Sequence, residues 1–342
     1  MRKQNIFRLN SRLVLAMSFL GAALSVIASP ADTPKPVGKM VDLGGHRLHM
    51  SCSGKGAPTV VVENGLGDFS FDWTLVQTRV EKFTRICTYD RAGYAWSDPG
   101  PKPRTFAQIN LELRDALLKL GEKGPFVLVG HSYGGPVIRS FALTYPHDVA
   151  GMVQVDAAFE GMRVGIGGGK TIRLGEDAKG RSIPQPREQM NDSDKPSLPT
   201  DVAIPPELQQ LDPMYKVLSE EDQKRQLWAQ KLLEMQDAEA SQTDWSGEYF
   251  AKWLKTSQAG SLGKIPLIVL TRAEGGYGND QDVPGAQMEK ERKEGHAMLV
   301  KLSTNSKQII VKSGHNMELE APEEVTAAIR TVVEAVHNNK KL

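Results

Sequence analysis

The sequence predicts an α/β fold: a mostly parallel, doubly wound sheet with an inserted, largely helical cap. Three observations carry this expectation. Short apolar runs of strand length alternate with amphipathic helices over most of the 342 residues. One strand-to-helix junction carries Gly130-His131-Ser132-Tyr133-Gly134-Gly135, a Ser at G-x-S-x-G spacing. The alternation lapses between Phe159 and Lys264 and then resumes.

The junction is the centre of the chain. Pro125 to Val129 is an apolar run of buried-strand length, and Pro136 opens a segment that reads as a helix through Ala142. A turn this tight leaves no room for flanking side chains, so glycines stand two residues either side of the Ser. Its hydroxyl is then held above the sheet, with the next backbone N–H free to meet a developing oxyanion.

The other elements follow in order. Lys39–Leu43 and His46–Ser51 read as a hairpin about Gly44-Gly45. Thr59–Val62 is a β-branched run that ends in a Gly-rich loop, Glu63 to Asp68. Thr84–Tyr89 is a further strand. Thr105–Leu120 is the clearest helix: Phe106, Ile109, Leu113, Leu117 and Leu120 keep helical period, Thr105 with Gln108 suggests a capping box, and Gly121 stops it. Ala150–Val155, Ile265–Leu270 and Gln308–Lys312 are strands, and Pro322–Val336 is a closing helix.

Between them, helices are expected near Ser219–Met235 and Trp245–Gln258. Trp245, Tyr249 and Trp253 fall on one helical face, and Leu227, Trp228, Leu232 and Met235 form a second apolar stripe. The glycines from Gly161 to Gly169 read as an entry to the cap, a hinge for a lid. Gly169-Lys170-Thr171 copies the end of a phosphate-binding loop, but Val164 stands where that motif needs its first glycine, so no nucleotide site is expected.

Arg2, Lys3, Arg8 and Arg12 precede an apolar stretch from Leu13 to Ala28, the pattern of a signal peptide. The expected organisation is therefore a signal peptide at 1–28, a flexible lead at 29–38, a first core portion at 39–158, a cap at 159–264 and a second core portion at 265–342. Export, periplasmic or secreted, follows, with no stable membrane span after cleavage; a retained N-terminal anchor is the alternative. A net charge of +1 gives no electrostatic case for nucleic acid. Cys52 and Cys87 read as a disulfide in an exported protein and as buried thiols in the cytosol. With no CxxC, HExxH or His cluster, neither a metal nor a cofactor is expected.

Taken together, the chain after residue 38 resembles the α/β-hydrolase fold family. The resemblance rests on Asn64-Gly65-Leu66-Gly67 after the third strand, Asp90 to Asp98 after the fourth, the elbow at Ser132 and the terminal Gly314-His315. Asn64 departs from the family's usual His. The resemblance implies that the second strand lies beside the fourth, which would bring Cys52 and Cys87 within disulfide range.

A Ser hydroxyl needs a base, and His has the proton affinity for it near neutrality. Of seven histidines, His315 directly follows a strand, at the sheet end where Ser132 is expected. His131 reads as packed within the elbow; His46, His49, His147, His296 and His337 read as surface or hairpin residues. The resemblance offers two positions for the acid: Asp156, which ends the strand after the nucleophile, and Glu274, on a Gly-rich loop after Ile265–Leu270. Asp156 is the better fixed of the two. The resemblance also implies oxyanion donation by the N–H groups of Leu66 and Tyr133, while Asp90 and Arg91 read as bracing residues.

A Ser nucleophile excludes the aspartate-based epoxide hydrolases and dehalogenases of this fold. The expected activity is hydrolysis of a carboxylic ester of a small, largely apolar molecule through an acyl-enzyme. Its kcat/KM should rise with pH through a His-like value near about 6.5. Two alternatives stand beside it: an amidase or aminopeptidase using Glu220, Glu221, Glu234 or Glu239 to hold an amine, and a ligand-binding protein that has abandoned turnover.

Overall fold

In chain order the elements are β1 (Lys39–Asp42), β2 (Arg47–Ser53), β3 (Val60–Glu63), α1 (Thr74–Val80), β4 (Ile86–Tyr89), α2 (Phe106–Lys119), β5 (Phe126–His131) and α3 (Gly134–Thr144). Then come β6 (Val149–Val155), β7 (Arg163–Gly165), β8 (Thr171–Arg173), α4 (Glu220–Ala229), α5 (Leu233–Leu254), β9 (Leu267–Arg272), α6 (Gly285–Val300), β10 (Ser306–Val311), α7 (Met317–Glu320) and α8 (Pro322–His337). The structure, a computed structural model, describes residues 33–165, 170–176, 206–256, 258–273 and 284–342. The leader expected at 1–28, the start of the lead and Glu274 lie outside them. Among the described residues, no helix is long and apolar enough to cross a membrane.

The main sheet runs β1-β2-β4-β3-β5-β6-β9-β10. β1–β2 and β2–β4 pair antiparallel, and the remaining neighbours pair parallel. β3, β5 and β9 are buried along their whole length, as parallel strands covered on both faces must be. Side chains alternate between two apolar layers: Leu128 joins Leu113, Leu117 and Phe141 of α2 and α3, while Val127 and Val129 join Val76, Val80, Val325 and Ile329 of α1 and α8. This is the α/β-hydrolase fold expected from the sequence.

Cys52 stands directly opposite Cys87 in the β2–β4 register, and the two form a disulfide. Cys87 is fully buried.

Several local expectations need correction. Thr105 caps α2 by accepting from the Gln108 amide at 3.1 Å, but the Gln108 side chain turns to Glu112 and the Thr105 amide bonds Pro103, so only half of a capping box forms. α3 begins at Gly134, which makes Pro136 its third residue. The Gly-rich segment read as a hinge contributes the antiparallel pair β7–β8, with Val164 opposite Ile172; residues 166–169 lie outside the described set.

The two helices expected between β6 and β9 are divided differently. α4 starts after Ser219, whose hydroxyl accepts from the Asp222 amide, and ends at Ala229. α5 begins at Leu233, after an extended Leu232. The break lets Trp228 before it, and Leu232 and Met235 after it, pack on one cluster with Phe69, Phe71, Tyr94 and Trp96. His49 lies in the β1–β2 hairpin, one of the two readings given for it, but is buried there, and His296 is neither a surface nor a hairpin residue. His49 is buried against Asp90 (2.7 Å), and His296 lies between the Thr271 hydroxyl (2.8 Å) and the Ala157 carbonyl (3.1 Å).

Candidate active site

β5 delivers Ser132 to the sheet edge with φ 48°, a left-handed backbone that a β-carbon disfavours. Hydrogen bonds hold it there: its amide donates to the Val155 carbonyl, and its carbonyl accepts from Gly135 and Ala158. A Cβ on Gly130 would lie 2.6 Å from the Gly134 carbonyl oxygen, and one on Gly134 would fall on the carbonyl of Glu63. Glycine is therefore required at both positions, and strand β3 can approach the turn closely.

β6 ends just before Asp156, whose amide donates to the Leu270 carbonyl. β10 ends before Gly314-His315, with the Gly314 amide donating to Glu320. These two strand ends bring their side chains to Ser132. His315 Nδ1 lies 2.6 Å from Asp156 Oδ2, and His315 Nε2 lies 3.0 Å from Ser132 Oγ. Burial alone would raise the proton affinity of Asp156, but the bond from His315 and the charge of Arg272 hold it well below the usual carboxylate range. An ionised Asp156 accepts the Nδ1 proton, which leaves Nε2 bare to accept from the Ser132 hydroxyl. Burial pushes His315 below its ordinary value, with Asp156 pulling upward and the neighbouring His131 downward.

Sequence reasoning missed what surrounds Asp156. Arg272 ion-pairs with it and lies 3.3 Å from His315 Nδ1, while Arg292 of α6 stands 3.9 Å away. The signal was present in β9, where a single cation closes an otherwise uncharged run, Leu267-Ile268-Val269-Leu270-Thr271-Arg272. Buried in the sheet, such a charge needs a partner at the strand ends.

Leu66 lies in the loop after β3, and Tyr133 caps α3. Among the described residues, neither amide has a partner in the protein. The loop is firmly braced. Asn64 donates to the Tyr89 carbonyl at 2.7 Å, and Arg91, 1% exposed, binds Glu63 and the carbonyls of Asn64 and Gly65. Asp90 accepts from the Ser70 amide and faces His49. The brace runs through backbone carbonyls, so Asn in place of the usual His does not leave the loop unsupported.

α5 lies over this face. Tyr249 and Trp253 pack on Phe106, which meets Tyr133 edge-on at 5.4 Å. The Tyr133 hydroxyl donates to the Gln242 carbonyl, and the Ala107 amide donates to Tyr249. The side chain of Trp245 is outside the described set.

A family model described as "Alpha/beta hydrolase family" matches residues 60–328. Among solved structures, a thermophilic esterase from Thermogutta terrifontis superposes with a TM-score of 0.55 at 19% identity, covering 87% of this chain and 97% of that one. A serine hydrolase involved in carbazole degradation superposes with a TM-score of 0.56 at 14% identity, covering 86% and 98%. At such identities the likeness is one of fold.

Among curated proteins, one of Hormonema carpetanum described as "Probable transporter efuK" is 37% identical over 142 residues, which cover 39% of this chain and 20% of that protein. The matches span between 20% and 42% of the length of five such relatives, two of them uncharacterized vacuolar membrane proteins from two strains of Saccharomyces cerevisiae.

Proposed function

The chain belongs to the alpha/beta hydrolase family, and we propose that it is a serine hydrolase acting on carboxylic esters of small, largely apolar molecules. The observation that carries this reading is one imidazole bonded at both ends, 3.0 Å from the Ser132 hydroxyl and 2.6 Å from a buried carboxylate. Asp156 rather than Glu274 is the acid in this reading.

Ser132 Oγ attacks the ester carbonyl carbon while His315 Nε2 takes its proton. The oxyanion is met by the amides of Leu66 and Tyr133. Collapse expels the alcohol, which receives the proton from His315, and leaves Ser132 acylated. Water then attacks the acyl carbon, giving a proton to His315, and the acid departs as Ser132 regains its hydrogen. Asp156 stabilises the imidazolium formed in each half, and Arg272 keeps Asp156 ionised.

The segment 159–264 is read as the cap. Phe106, Tyr249, Phe250 and Trp253 supply an apolar surface beside Tyr133, which suits an uncharged substrate. Export is read from the basic and then apolar N-terminus and from the disulfide.

The test is hydrolysis of p-nitrophenyl esters of graded acyl length by wild type and Ser132→Ala. Turnover should fall at least roughly 10³-fold in the variant. Equal turnover in a folded Ser132→Ala protein contradicts the reading.

A further inference from the structure

Beside Ser132 and His315 lies a second histidine–carboxylate group that the reaction above leaves unused. His131 is 1% exposed. Its Nδ1 lies 2.9 Å from Asp68 Oδ2, and its Nε2 lies 3.0 Å from the backbone carbonyl oxygen of His315. A carbonyl can only accept, so Nε2 carries a proton. Nδ1 faces a carboxylate: burial would raise Asp68, but its hydrogen bond with His131 and the charges around it, Arg91 among them, leave it below its ordinary value, so Oδ2 accepts and Nδ1 carries a proton as well. The ring is an imidazolium.

The other bonded buried histidines differ. His49 accepts at Nε2 from the Gly38 amide, and His296 uses Nε2 to donate to Ala157 and Nδ1 to accept from Thr271. Each ring meets one donor and one acceptor. His131 alone among these faces two acceptors.

Three segments meet at this ring: the elbow that carries it, the loop after β3 that carries Leu66 and Asp68, and the loop after β10 that carries His315. Gly65 fits the arrangement, because a Cβ there would strike the Asp68 carboxylate and lie 2.9 Å from His131 Nδ1. The rings of His131 and His315 are 4.7 Å apart, centre to centre.

We infer that His131 is a positioning residue of this site: its doubly protonated ring fixes the oxyanion loop and the base-bearing loop to the elbow, and holds a positive charge beside the base. The inference rests on the serine-hydrolase reading. Burial disfavours the charge, but Glu318, whose Oε2 is 3.8 Å from Nε2, and Asp68 outweigh it and push His131 up to about 10. Glu318 Oε2 is buried with no hydrogen-bond partner; burial pushes Glu318 up to about 7 while the His131 charge draws it back down, so the two charges support each other.

The remaining charged groups are arranged around this pair. Asp72, Arg91 and Glu239 act on Asp68 or are acted on by it, and Tyr215 and Glu320 lie with Glu318. Asp156 and Arg272 face His315, backed by Arg292 and His296. The carboxylates Asp68 and Glu318 bind His131, while the charge nearest His315 on that side is the His131 ring itself. Protonation of His315 is disfavoured accordingly.

The test is kcat/KM against pH for wild type and His131→Gln, in which Gln keeps a single donor group and loses the charge. Without the cation His315 holds a proton more tightly, so the acid limb moves to higher pH by on the order of one unit. The high-pH plateau falls roughly tenfold as the loops lose their shared anchor. A folded His131→Gln enzyme with an unmoved limb overturns the inference, whereas activity surviving Ser132→Ala overturns the reading beneath it. Should His131→Gln fail to fold, ¹⁵N-histidine spectra of wild type at pH 8.5 decide. One histidine with both ring nitrogens protonated supports the inference, and seven neutral rings overturn it.

Discussion

Ser132, at φ 48°, and Asp156, at φ 39°, both hold left-handed backbones at strand ends. Non-glycine residues pay for such conformations, and both are over-determined here by surrounding hydrogen bonds. Asp156 fixes the tautomer of His315, so Asp156→Asn should keep the fold and lower kcat by roughly 10³ to 10⁴-fold; an unchanged kcat would point to a different acid. Because His315 sits below its ordinary value, the acid limb of the wild-type profile should fall below the roughly 6.5 of a free imidazole, lower than the sequence alone suggested. That Ser132 and His315 would meet was legible because each follows a strand, Ser132 directly and His315 after a short turn, positions local pattern can read. His49 and His296 were not, since their partners Asp90 and Thr271 lie 41 and 25 residues away and only folding unites them.

At the scale of elements, the all-apolar strands and the 105–120 helix could be read almost to their ends, because burial on both faces and helical period leave strong signatures. The division of α4 from α5 could not, because the chain breaks at Leu232, which packs against the cluster that holds Phe71 and Trp96, with no Gly or Pro to announce it. The β2–β4 disulfide links residues 35 apart in sequence. On chain-entropy grounds the pair Cys52→Ala, Cys87→Ala should lose about 3 to 4 kcal/mol in denaturant unfolding. A loss below about 0.5 kcal/mol would mean the sheet register alone supplies that stability.

Across the whole molecule, the parallel order of β3, β5, β6, β9 and β10 sends the loops after β3, β5, β6 and β10 to one edge of the sheet. Residues 66, 132, 156 and 315, far apart in sequence, converge there, with α5 above them. Arg272 and the group of His131, Asp68 and Glu318 arise from the same convergence: the lone cation of β9 signalled the first, but no single stretch of sequence announced the second. The central claim is that this edge makes Ser132 a nucleophile. The most direct measurement is labelling by a fluorophosphonate, with the modified residue located by peptide mass spectrometry. The account predicts a stoichiometric adduct on Ser132 that disappears in His315→Ala; a folded wild-type protein that stays unlabelled, or carries the label on another residue, would contradict it.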